Sequence, residues 1–302
     1  MSKPPLGPIL SATFVSPDPD SSADAYVDCL DQVIVDRRPV SKELAQSWGA
    51  PAVAGRQCVL LRPRSAEPGW IRIVQGERAS KPFTTFGWLA IEILVKDTDA
   101  LSHQLKGTAF REIGAPEDLG VVNGVRAMQA VGDAGEVLYL TQRDEVQGFR
   151  CRHVMGEVDR IFIMVLGAPD FGRAKAFYED HFSLSIGVDV ATAQPLKAEA
   201  LGISSSVEHR MLTFVLAGGQ EVAGKIQLDE HPSRASVSQH RAGELPGGVA
   251  LVTFEVPSFE HLALPFIEPP RAFDHPPYDG RLVATCVGAA GELIELAARS
   301  GV

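Results

Sequence analysis

The chain has 302 residues, 45% of them apolar, enough for two ordinary domains with a core each. Its formal charge of −10 and the lack of any basic stripe exclude a phosphate-tracking role, because nucleic-acid binding draws its affinity from clustered Lys and Arg. Pro4, Pro5 and Pro8 surround a very short apolar run, which fits neither a signal peptide nor a membrane span, so a soluble, cytoplasmic protein with no membrane partner is expected.

In chain order, Leu10 to Asp20 (LSATFVSPDPD) reads as a strand running into Pro-Asp, followed by a helical stretch. Gly87 to Val95 (GWLAIEILV) starts a second unit, with a helix around Asp99 to Leu105 and a closing segment Val131 to Leu140 (VGDAGEVLYL). Thr141 to Gly156 reads as the connector. Arg160 to Asp170 (RIFIMVLGAPD) then matches Leu10 to Asp20, both ending in Pro-Asp. In the following helix, Phe171 to Phe182, residues Phe171, Ala174, Phe177 and Tyr178 share one face and Asp170 can cap the start. A strand before Pro195, then His209 to Leu216 and Lys225 to Asp229, complete a β-α-β-β-β order. The unit begins again at Gly248 to Val256, passes a short helix near Phe259 to Phe266, and closes with Arg281 to Cys286 and Leu293 to Ala297. The decamer 131–140 returns, with four changes, as Val287 to Leu296 (VGAAGELIEL), so the chain contains a duplication. Tyr139 stands where the second copy has Glu295.

The four cysteines, Cys29, Cys58, Cys151 and Cys286, show no C-x-x-C spacing and read as free thiols of a reducing compartment. The stretches Asp229 to Gly248 and Glu268 to Gly280 are long, turn-rich and placed to cover the second half's cavity. Asp274 with His275, on the latter, reads as a solvated pair.

Paired βαβββ modules, an FY-containing first helix and a closing G-[NE]-x-[IL]-E-L strand resemble the vicinal oxygen chelate superfamily, which includes glyoxalase I, bleomycin-resistance proteins and extradiol dioxygenases. The resemblance covers nearly the whole chain and implies an α+β fold of two tandem domains. Each would be two modules whose sheets join edge to edge into a cupped mixed sheet with helices outside. The domains expected are 1–143 (modules about 8–78 and 85–143), read as structural, and 157–302 (modules about 157–231 and 247–299), read as the ligand site.

Strand alternation then assigns faces. Ile161, Ile163 and Val165 read as the helix side against Arg160, Phe162 and Met164 in the cup, while Leu251, Thr253 and Glu255, with His209, Met211 and Thr213, also face the cup. Carried over from the resemblance, the metal positions become Arg160, Gln227, Leu251 and Glu295 in the second cup and Leu10, Arg72, Ala90 and Tyr139 in the first. Neither set supplies the three or four N, O or S ligands a divalent ion needs, so no metal or other cofactor is expected. Arg160 would hold an anionic oxygen of the ligand, and Glu295 or His209 would move the proton. Gln227, Phe162, Met164, Met211 and Thr253 would complete the ligand contacts. A buried Arg160–Glu295 pair without chemistry is the bland alternative, and Arg72 with Tyr139 a second polar pair. The function expected is binding of a small hydrophobic or aromatic molecule bearing an anionic oxygen, with metal-independent isomerase or lyase chemistry. The alternatives are a non-catalytic sequestering protein and a metal-dependent extradiol-type dioxygenase. A homodimer is left open.

Overall fold

The computed structural model describes residues 3–66, 68–79, 81–120, 124–143, 154, 156–218, 224–231, 235–236, 241–260 and 262–298. The first module comprises β1 (Ile9–Ser16), α1 (Pro19–Cys29), β2 (Gln32–Pro39), α2 (Lys42–Ser47), β3 (Gln57–Pro63) and β4 (Trp70–Gln75). The second holds β5 (Gly87–Val95), α3 (Thr98–Gln104), β6 (Arg111–Asp118), β7 (Val125–Val131) and β8 (Val137–Arg143). The third holds β9 (Val158–Ala168), α4 (Phe171–His181), β10 (Ser185–Ala193), α5 (Pro195–Leu201), β11 (Glu208–Val215) and β12 (Lys225–Glu230). The fourth holds β13 (Gly248–Val256), β14 (Arg271–Phe273), β15 (Arg281–Val287) and β16 (Leu293–Ala298).

The expected short helix near Phe259 to Phe266 is not among these elements. Pro257 and Pro265 bracket that stretch and oppose a helix, and Phe259 instead packs edge-on against Phe266, ring centres 5.4 Å apart. Most of the connector Thr141 to Gly156 lies outside the described residues, as does Cys151.

Four modules in two cupped mixed sheets is the architecture expected, but the modules pair differently. One eight-stranded sheet runs β14-β15-β16-β13-β1-β4-β3-β2 and joins the first module to the fourth; the other runs β10-β11-β12-β9-β5-β8-β7-β6 and joins the second to the third. The seams are the antiparallel pairs β1–β13 and β5–β9. No sheet among the described residues belongs wholly to 1–143 or to 157–302. Similar modules carry similar free edges, so their sequence does not fix which edge meets which.

Local signals set the starts of the helices. Asp18 accepts from Ser21 N at 3.1 Å, Asp97 from Ala100 N at 2.9 Å and Asp170 from Arg173 N at 2.9 Å, each capping its helix. Asp18 is therefore the counterpart of Asp170, and the match of the first strands shifts by two residues from the one read above. Thr13, not Val15, is the counterpart of Val165.

The helix-side faces of both sheets share one large core, with Phe14, Tyr26, Ile91, Met164, Tyr178, Phe214, Ile226, Phe254 and Ile294 in it. Each opposite face has a smaller cluster of its own. On β9 the alternation slips. Ile161 pairs with Ile93 and Ile163 with Glu92, leaving Phe162 as a bulge residue. Ile161 stays in the shared core, Phe162 and Ile163 both turn to the cup, Val165 follows them, and Met164 moves to the helix side. The expected cup position of Met164 and helix-side positions of Ile163 and Val165 are thus reversed, because one inserted residue exchanges the faces beyond it.

Candidate active site

Strand registers place the two cups on a common frame. Across the second–third module sheet, one row runs Lys225 (β12), Ile163 (β9), Glu92 (β5), Tyr139 (β8) and Gln129 (β7). The matching row of the other sheet is Trp70 (β4), Ser11 (β1), Thr253 (β13), Glu295 (β16) and Thr285 (β15). The next rows are Gln227, Val165, Ala90 and Arg72, Thr13, Leu251. Tyr139 and Glu295 are therefore counterparts in space, as the decamer implied, and Gln227 is the counterpart of Arg72.

The first–fourth module cup is filled. Arg72 and Glu295 form an ion pair at 2.9 Å with side chains 3% and 0% exposed. Glu295 also accepts from Trp48 Nε1 at 2.6 Å, Thr253 Oγ1 at 2.6 Å and the Tyr278 hydroxyl at 2.9 and 3.0 Å. Arg72 donates to Thr13 Oγ1 at 2.8 Å and to the Tyr278 hydroxyl, with its guanidinium carbon 4.6 Å from the Trp48 ring centre. Trp48, at the end of α2, and Tyr278, from the segment between β14 and β15, close over the pair; both are fully buried. The second long loop, with Tyr278, thus covers this cup.

Several expectations change here. Glu295 pairs with Arg72, not Arg160, and is sealed from solvent together with Thr253. Arg72 in turn does not pair with Tyr139, which lies in the other sheet. Arg160 is buried at the start of β9, its guanidinium 3.3 Å from Asp159, which also accepts from Ser65 at 2.6 Å. It is not among the residues lining the open cavity. The registers of β9 with β5 and β12 put Arg160 and Glu295 in separate sheets, and no anion pocket forms between them.

The second–third module cup holds a cavity of about 370 Å³. Phe162, Ile163, Val125, Val188, Leu196 and Met211 give it an apolar lining, and Glu92, Tyr139, Thr141, Lys225, Gln227 and Asp229 are among the polar residues that line it. Of the expected ligand contacts, Gln227, Phe162 and Met211 are gathered here. His209, on the same strand as Met211, is not among the lining residues; it is half-buried, and its Nε2 has no hydrogen-bond partner among the described residues.

Glu92 is the carboxyl of the central row. Its side chain accepts from Thr141 Oγ1 at 2.8 Å, and the residue is 5% exposed. Burial pushes its carboxyl up to about 7, against the Thr141 hydrogen bond and the positive charges of Lys225 and Arg143. Burial, with the charges of Asp229 and Glu92 nearby, also raises the Tyr139 phenol well above its usual value, so it stays a neutral hydroxyl. Asp229 is fully buried in an ion pair with Lys197 of α5 and accepts the Gln227 amide at 3.1 and 3.2 Å. His231, just beyond β12, holds Phe83 O at 2.8 Å, and burial lowers it to about 4.

A divalent ion does not fit either donor set. In the filled cup a guanidinium occupies the centre. In the open one Ile163 and Val165 bring no donor, Tyr139 keeps its proton, and the single carboxyl of the row shares it with the Lys225 cation. Among the described residues, no group of three or more His, Cys, Asp or Glu side chains gathers to hold a metal. The thiols of Cys58 and Cys286 are buried and pushed by that burial up to about 11 and about 12, which makes them poor nucleophiles.

The signal for Glu92 was present in the sequence: a lone carboxylate in the otherwise apolar strand GWLAIEILV is costly to bury unless it has a use or a partner.

No family model and no curated protein sequence matches the chain. Solved structures do. Glyoxalase I from Zea mays, as a mutant crystal structure, superposes with a TM-score of 0.63 at 15% identity over 96% of this chain and 93% of that one. A putative dioxygenase from Bacillus subtilis does so with a TM-score of 0.64 at 13% identity, over 99% of this chain and 87% of that one. The chain has the vicinal oxygen chelate fold in its four-module form. No helix among the described residues is long and apolar enough to cross a membrane.

Proposed function

We propose that the cavity of the second–third module sheet binds a small, largely apolar or aromatic molecule bearing an anionic oxygen, and that Glu92 transfers a proton on it without a metal ion, as in an isomerase or lyase. The observation that carries this reading is the placement of Glu92. A buried carboxyl that lines a largely apolar cavity, held by Thr141 and poised near neutrality, is the arrangement a general base requires. Glu92 would take a proton from a carbon next to a carbonyl, and the negative charge would develop on the carbonyl oxygen. Lys225, two strands away in the same row, supplies a positive charge to that oxygen. The proton then returns from Glu92 to the same carbon as the carbonyl re-forms, or to the far end of the dienolate in a substrate with a conjugated double bond, leaving the carboxylate as it began. The roles expected of Arg160 and Glu295 pass to Lys225 and Glu92.

Calorimetry and solvent-deuterium exchange on a panel of aromatic keto acids test this. The wild type is expected to bind members of the panel and to exchange the proton next to the carbonyl. Glu92→Gln should still bind them, with exchange lost by at least about a hundredfold. Exchange unchanged in Glu92→Gln would overturn the assignment. A second reading, sequestration of a hydrophobic compound, draws on the predominantly apolar walls, and tight binding by the wild type with no exchange at all would favour it.

A further inference from the structure

We propose that Gln227 selects ligands bringing a hydroxyl or N–H donor, and that Asp229 is the positioning residue that sets this polarity. The inference rests on the reading of the cavity as a ligand site.

An amide can face a ligand with either end, and the choice depends on what anchors the other. Here the anchor is one-sided. Both carboxylate oxygens of Asp229 lie within hydrogen-bond distance of Gln227 Nε2, at 3.1 and 3.2 Å. Asp229 is fully buried, and its Oδ2 is ion-paired with Lys197 Nζ. A carboxylate held in that way only accepts, so the nitrogen end of the amide must face it. The amide is planar, so its carbonyl oxygen is turned away from Asp229, and Gln227 is one of the residues that line the cavity. No donor reaches that oxygen among the described residues. The ligand is left to supply one.

The other cup shows how much this position matters. Its counterpart is Arg72, a group with donors alone, and there the complementary acceptor is the built-in carboxylate of Glu295. In the open cup the sign is inverted, and no such partner stands among the described residues. Residues two apart on a strand share a face and lie about 7 Å apart, so Gln227 and Lys225 span roughly the two ends of a six-membered ring. A ring with an acidic group at one end and a donor opposite it matches this spacing.

Isothermal calorimetry with benzoate, 2-, 3- and 4-hydroxybenzoate and 4-methoxybenzoate tests the proposal. The wild type is expected to bind 4-hydroxybenzoate about fivefold to tenfold more tightly than benzoate, and 4-methoxybenzoate, which keeps the oxygen but lacks the donor, no more tightly than benzoate. Gln227→Leu should erase the preference, read as the ratio of the two dissociation constants, which falls to within about twofold of one. Asp229→Asn should narrow the preference, since a neutral amide at 229 lets the Gln227 amide turn over. A role of Asp229 in folding alone would not move that ratio. Equal binding of benzoate and 4-hydroxybenzoate, tight binding of the methoxy compound, or a preference that survives in Gln227→Leu would overturn the proposal and leave the ligand site standing. Binding of none of the five would remove the site reading and the inference with it.

Discussion

Tyr178 donates its hydroxyl to Glu292 at 2.9 Å, and Tyr26 donates to Glu136 at 3.1 Å in the same way. Each tyrosine belongs to the first helix of an odd-numbered module and each glutamate to the closing turn of the module after it. The sheets join modules one with four and two with three, whereas these clasps join one with two and three with four. Together they bind the four modules in a ring. The clasp also accounts for the repeated V-G-x-A-G-E motif. The carboxyl folds back over the first glycine, where a Cβ would come within 1.9 Å of Glu136 Oε1 or 2.0 Å of Glu292 Oε1. The second glycine, Gly135 or Gly291, takes a positive φ of 88° or 84°. Tyr178→Phe should therefore lower unfolding stability by about 1–3 kcal/mol, the cost of leaving a buried acceptor unpaired. Urea titration of Tyr178→Phe, Glu292→Gln and the double variant checks it, and additive effects would show that the two side chains are not coupled.

The modules, the Asp170 helix cap and the duplicated turn were legible in the sequence because each is a local pattern. So were Gln227, Phe162 and Met211, whose strands keep their alternation or bulge in their favour. The pairing of modules was not legible, since it depends on which of several similar strand edges meet. That single ambiguity moved Glu295 and Thr253 out of the open cavity and brought Glu92, Tyr139 and Thr141 into it. Met164 was misplaced by the bulge at Phe162, which a period of two cannot foresee.

The Arg72–Glu295 pair makes a prediction that separates the two cups. Removing one partner of a buried ion pair strands the other, so Glu295→Ala should cost about 3–5 kcal/mol of stability. Arg72→Met with Glu295→Leu should recover much of that loss, because both charges leave together. Ligand affinity in the other cup should stay unchanged in the double variant, measured by calorimetry beside a denaturant titration. A double variant that loses the ligand while remaining folded would move the site to the filled cup.

Stability should fall as the medium becomes more alkaline across neutrality. Burial raises Glu136 to about 8 and Glu292 and Glu92 to about 7, all above the ordinary carboxyl value of about 4.3. Between that ordinary value and the raised ones the folded chain holds protons that the unfolded chain has released. Stability is therefore greatest on the acidic side, declines as pH rises towards about 7–8, and levels off above, by on the order of 3–5 kcal/mol per group. His231 acts from the other end, since its value of about 4 lies below the unfolded 6.5 and costs stability as pH falls through that interval. Urea midpoints at pH 5, 6, 7, 8 and 9 should thus decline towards pH 8, and Glu136→Gln should flatten the decline.

Turnover should carry the signature of Glu92. A general base works only when deprotonated, so the exchange rate of a bound keto acid should rise with pH through about 7 and reach a plateau above it. Thr141 Oγ1 donates to Glu92 Oε1 and favours its charged form. Thr141→Val removes that donor and should move the rising limb to higher pH, while Lys225→Met should move it the same way by removing a positive charge. The plateau separates the two variants. Thr141→Val alters only the readiness of the base and should keep most of the plateau rate, whereas Lys225→Met also removes the charge facing the developing oxyanion and should lower it by about ten- to a thousandfold. A limb that falls with pH instead would mean that Glu92 gives a proton rather than takes one.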